Sequence, residues 1–145
     1  MIRMLTRAAG IGMVFAAGVA GGQWLQPEPV AAQATTKVFE LRTYTSPAGR
    51  LGDLHTRFRN HTLALFEKHG MTNVGYWQPT DGALADNTLI YIVSHDSREA
   101  AEASWKAFRS DPAWQKVRTA SEANGPIVEK VESVFMKAVD YSKIK

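Results

Sequence analysis

Apolar and polar positions change period several times along the chain, and each change marks an element. From Lys37 to Tyr44 the side chains alternate, with Phe39, Leu41 and Thr43 on one face and Glu40, Arg42 and Tyr44 on the other. A period of two predicts a strand. Ser46-Pro47 and Gly49 form a turn suited to starting a helix, after which Leu51, Leu54, Phe58, His61, Leu65 and His69 recur at helical spacing. They predict one amphipathic helix ending at Gly70, a left-handed C-cap. Asn73 to Gln78 reads as a second strand, closed by Pro79 and the Asp81-Gly82 turn signal. Thr88 to His95 reads as a third, central strand, rich in β-branched residues.

Asp96 with Glu99 three residues on resembles a capping box, and it opens a helix with the stripe Ala101, Trp105 and Phe108. Asp111-Pro112 restarts a shorter helix through Trp114 and Val117, proline being favoured at the first helical position. Gly125-Pro126 ends it, and Val128 to Ala138 regains strand character. The order β-α-β-β-α-β matches the ferredoxin-like α+β plan, a four-stranded antiparallel sheet with both helices on one face. A sheet covered on one face only leaves the other for a symmetric partner chain.

The first residues follow a different pattern. Arg3 and Arg7 precede the apolar run Ala8 to Ala20, and Ala32-Gln33-Ala34 has the small-x-small form of a signal-peptidase site. Residues 1–34 are therefore expected to be a signal peptide and 35–145 the folded domain, with cleavage after Ala34 and export to the periplasm or medium. The apolar run falls short of the roughly 20 residues of a spanning helix, so no stable membrane span is expected after cleavage. Retention as an anchor, with Trp24 at the interface, is the alternative. Pro27 and Pro29 mark a linker before the domain.

Composition narrows the function classes. The 145 residues hold 45% hydrophobic and 21% charged side chains, as a single globular domain does. Formal charge is +3, and without Arg3, Arg7 and Glu28 the excess is two positive charges, interleaved with acids. This is not the basic footprint of a nucleic-acid binder. The absence of cysteine excludes disulfides, thiolate nucleophiles and thiolate metal sites. Histidines and carboxylates do not fall at metal-ligand spacing, so no metal site is expected.

The set Phe39-Glu40-Leu41-Arg42-Thr43-Tyr44 with Pro47 and Gly49, Leu65-Phe66-Glu67-Lys68-His69-Gly70, Gly75-Tyr76-Trp77, Arg98 and Asp111-Pro112-Ala113-Trp114 resembles the NIPSNAP family over about residues 37–139. The resemblance implies a dimeric α+β barrel, in which two four-stranded sheets meet with the helices outside. It implies no particular reaction, since related barrels include cofactor-free oxygenases and haem-binding enzymes.

Candidate chemistry rests on a few side chains. If Phe39 and Leu41 pack under the helices, Arg42 and Tyr44 point into the barrel or dimer seam, where guanidinium and phenol could hold an anionic or carbonyl-bearing ligand. The competing role for Arg42 is an ion pair with Glu40 or with a partner's acid. His61, on the apolar stripe, is a candidate general base or haem ligand, against a core histidine satisfied by backbone. His95, on the Tyr91 face of the third strand, either lines the same cavity or sits solvated at the strand end. Trp77 and Tyr91 join the candidate ligand or seam residues, although aromatics at such spacings usually form core. No cofactor is expected, with haem as the alternative. The reading is an exported homodimer binding a small apolar molecule or a partner protein; the alternative is a cofactor-free oxygenase or isomerase acting on an apolar carbonyl compound.

Overall fold

The computed structural model describes residues 37–145. The predicted leader, and its boundary with the domain, lie outside the described residues. Strands β1 (Val38–Thr45), β2 (Thr72–Trp77), β3 (Thr88–His95) and β4 (Lys130–Lys137) form one antiparallel sheet in the order β2-β3-β1-β4. Between β1 and β2 run α1 (Leu51–Arg57), a π-helical turn (Phe58–Thr62) and α2 (Leu63–Lys68), and between β3 and β4 run α3 (Arg98–Ser110) and α4 (Pro112–Ser121). This is the ferredoxin-like α+β arrangement expected from the element order, with β1 and β3 in the middle.

The helices cover the sheet face opposite to the one expected. Glu40, Arg42 and Tyr44 share their face with Val93, Tyr91 and Leu89, their register partners on β3, and Tyr91 and Val93 are fully buried beneath the helices. Leu41, Thr43, Ile90 and Ile92 lie on the other face, where Trp77 and Val134 remain about half exposed. Alternation groups residues by face but does not say which face is covered. Here the polar set can go inside because its members satisfy one another, and the apolar set is left outside. On that outer face Phe39 is buried beside Val74, Ile92, Met136, Val139 and Ile144, so the C-terminal segment covers one corner of it. Near the opposite edge the Trp77 ring lies over Gly75, where an added Cβ would come within 2.5 Å of it.

The first helical segment departs from simple α periodicity. The amide of Leu63 donates to the Phe58 carbonyl five residues back, and the Thr62 hydroxyl donates to the Arg57 carbonyl at 3.3 Å. One residue is thereby inserted into the helix, and the side chain of Thr62 occupies a carbonyl freed by the wider ladder. The buried positions become Leu51, Leu54, Arg57, Phe58, Thr62 and Phe66, while His61 is exposed. The segment ends as expected at Gly70 (φ 78°), with Met71 N–H donating to Phe66 and Gly70 N–H to Glu67. This pair of bonds is a Schellman cap.

Two start signals are displaced. Helix α3 is capped by Ser97, whose hydroxyl accepts from Ala100 N–H at 3.0 Å, one residue after the predicted Asp96. Ser46 does not cap α1; its hydroxyl donates to the Ile127 carbonyl and fastens the end of β1 to the approach to β4. Asp111 does cap α4, accepting from Ala113 N–H at 2.8 Å with Pro112 at the first helical position. Its carboxylate also takes Lys68 Nζ and His69 Nε2, both at 2.7 Å. Lys68 and His69, together with the Ala113 amide, hold its pKa well below the usual carboxylate range.

Candidate functional site

The helix-facing side of β1 carries a buried carboxylate. Glu40 is 1% exposed. Its Oε1 accepts from Arg42 Nη1 and Ser133 Oγ, each at 2.6 Å, and its Oε2 from Trp105 Nε1 at 2.6 Å and His95 Nε2 at 3.2 Å. Burial alone would raise its pKa, but the donors His95, Ser133, Trp105 and Arg42 outweigh it and hold the group at about 2. The carboxylate is therefore ionised at neutral pH, and four elements (β1, β3, α3 and β4) meet on it.

Arg42 is oriented by this anchor. Its guanidinium lies 4.2 Å from the centroid of the Trp105 ring and 5.5 Å from that of Tyr44. Burial would lower its pKa, but the Glu40 carboxylate bonded to it outweighs this and raises it, so the side chain stays cationic. The Arg42 Nε has no hydrogen-bond partner among the described residues.

From Arg42 a cavity of about 390 Å³ opens between sheet and helices, bounded by Tyr44, Phe58, Thr62, Trp105, Phe108, Trp114, Val128 and Val131. A volume of this size suits a small organic ligand. Four arginines reach it, Arg42, Arg57, Arg109 and Arg118, against the carboxylates Glu122 and Glu129. Arg57 is 5% exposed; its Nη1 donates to Glu122 Oε1 at 2.9 Å, and its guanidinium lies 5.1 Å from the centroid of Trp114. Like that of Arg42, its Nε has no partner among the described residues.

Two of the residues singled out by sequence, Arg42 and Tyr44, are brought together here. They point into the space beneath the helices rather than to the uncovered sheet face. His95 is buried beside them, but it bonds to Glu40 and does not line the cavity; its Nδ1 has no partner among the described residues. Tyr91 is completely buried in an aromatic cluster with Tyr44, Phe58, Phe66 and Tyr76, with ring centroids 5.3 to 6.0 Å away. Burial holds its phenol pKa well above the ordinary value. His61 lies instead beside α4 in a groove shared with Arg57, Ala113 and Lys116. Trp77 stands on the uncovered sheet face, apart from this cavity. Arg57, Trp105 and Trp114 carry the site together with Arg42. The sequence placed the two tryptophans on helices and did not single out Arg57. Its signal was its place three residues after Leu54, a buried position held by a cation. Among the described residues no cluster of three His, Asp or Glu side chains is arranged for a metal ion, and no helix is long and apolar enough to cross a membrane.

Solved structures share this architecture. A NIPSNAP family protein of unknown function from Agrobacterium tumefaciens superposes with a TM-score of 0.66 at 19% identity, over 77% of this chain and 96% of that one. An uncharacterised NIPSNAP domain protein from Burkholderia xenovorans gives 0.62 at 22% identity, over 72% and 97%. A monooxygenase from Streptomyces coelicolor, solved with the ligand Nanaomycin D, gives 0.53 at 15% identity, over 77% and 95%. No curated protein sequence matches the chain. The NIPSNAP family model matches residues 39–143, which takes in every helix described above and all four strands but for Val38, and the chain belongs to the NIPSNAP family.

Proposed function

We propose that this protein binds a small organic molecule in the cavity between its sheet and its helices, and that it works as an exported homodimer. The observation that carries the binding reading is the cavity itself, about 390 Å³ in volume and walled by Tyr44, Phe58, Trp105, Phe108 and Trp114. Flat aromatic walls with a few fixed polar groups recognise a planar or compact apolar body. No histidine lines the space, which favours binding over proton abstraction by imidazole. The homodimer is supported by the uncovered sheet face bearing Leu41, Ile90, Ile92, Val134 and Trp77, and export by the leader pattern before Thr35.

A fluorescent naphthol titrated into the purified protein tests the binding. Saturable binding of one molecule per chain is expected, and Val128→Trp, which fills the cavity from its rim, is expected to abolish it without lowering the melting temperature. Binding that survives in a stably folded Val128→Trp protein would sink this assignment. An enzymatic reading has one specific support, the shared fold of the Streptomyces coelicolor monooxygenase. In it Arg42 and Tyr44 would stabilise negative charge developing on a bound carbonyl compound. Oxygen consumption with an added quinol, lost in Tyr44→Phe, would favour it.

A further inference from the structure

We infer that the ligand is an apolar acid, whose carboxylate is held on the Nε edge of Arg57 with Arg42 facing it across the cavity. This rests on the binding reading above and gives it a chemical class. A buried guanidinium, that of Arg57, and a largely buried one, that of Arg42, converge on one space walled by aromatic rings and charged side chains, and each has a donor with no acceptor among the described residues. A buried N–H without an acceptor is unfavourable, so the vacant edge calls for an oxygen from outside the chain. Each arginine already commits its Nη1, that of Arg57 to Glu122 and that of Arg42 to Glu40. Arg42 also gives its Nη2 to the Tyr44 hydroxyl at 3.5 Å, so the edge containing Nε is left on Arg57, and its fork geometry matches the two oxygens of a carboxylate.

The aromatic floor fixes that geometry. Trp114 lies under Arg57 and Trp105 under Arg42, so the planar cations are stacked on rings. Charge points the same way, with four arginines against Glu122 and Glu129 around the space. Glu122 sits just past the C-terminus of α4 and bonds to both Arg57 and Arg118. It balances the cationic wall while the cavity is empty, and it stands beside an incoming carboxylate as a like charge.

The test compares 1-naphthoate with 1-naphthamide, equal in shape but unequal in charge, by titration calorimetry at neutral pH on the full-length protein. The acid is expected to bind at least about tenfold more tightly, the contribution of one charge-assisted fork. Glu122→Gln is expected to raise the ratio of acid to amide affinity severalfold. Arg57→Met is expected to level the two affinities. Equal affinities in the unaltered protein would overturn the acid inference while leaving the cavity reading intact, and binding of neither compound would overturn both. Should Arg57→Met fold poorly, the unaltered protein and Glu122→Gln still decide the matter.

Discussion

Trp105 donates its indole N–H to Glu40 across 2.6 Å, so that the middle of α3 is fastened to the middle of β1 through a carboxylate with almost no solvent contact. The same carboxylate orients Arg42 at the mouth of the cavity. One buried charge thus links the packing of the helical layer to the geometry of the site.

Replacing it should be costly. In Glu40→Gln the Arg42 cation loses its counterion while remaining largely buried, and removing one partner of such a pair destabilises by roughly 3 kcal/mol. Urea denaturation at neutral pH checks this. A loss below about 1 kcal/mol would mean that water replaces the carboxylate freely.

The acid limb of stability follows from the same group. The folded-state pKa of Glu40 is depressed, from the ordinary 4.5 to about 2, so its contribution is present above 4.5 and is lost as the pH falls toward 2. Melting temperatures between neutral pH and pH 2 should fall across that window. In Glu40→Gln the fall should be shallower, and an unchanged slope would remove Glu40 as its source.

Neighbouring residues in the π turn should behave in opposite ways. His61 is exposed, so His61→Ala is expected to change stability by less than about 0.5 kcal/mol and to leave naphthol binding unaltered. Thr62 is 1% exposed and bonded to Arg57, so Thr62→Val is expected to cost about 1 kcal/mol. Thermal unfolding of the pair separates them. A large effect at His61 with none at Thr62 would restore the regular helical stripe.

The uncovered sheet face makes a prediction about assembly. Val134 is 55% exposed amid Leu41, Thr43 and Met136, and a second copy of the sheet is expected to cover it. Light scattering should give twice the chain mass for the unaltered protein and a single chain for Val134→Lys. A monomeric unaltered protein would remove the homodimer from the proposal.

The order and positions of strands and helices along the chain were legible because each rests on a local signal. Alternation in β1 and β3, the Gly70 cap and the Asp111-Pro112 restart all have physical causes within a few residues of themselves. Which face the helices cover was not local. It depends on Trp105, His95 and Ser133, which lie 55 to 93 residues from Glu40 and together make its burial tolerable. The site was half legible for the same reason: Arg42 and Tyr44 stood out on a strand. Arg57 was not singled out, because Trp114 and Glu122, which make its burial tolerable, come from α4 and the turn after it.

The π turn also bears on how the chain tolerates changes in length. Around it the core-facing side chains Leu54, Phe58, Thr62 and Phe66 fall four residues apart, a longer step than the 3.6 residues of an α-helix. Losing one exposed residue, such as Asn60, would return Thr62 and Phe66 to the spacing of a regular helix without moving them off the core. The first helical segment can therefore absorb a one-residue deletion between Phe58 and Thr62, with Gly70 and β2 still arriving in phase.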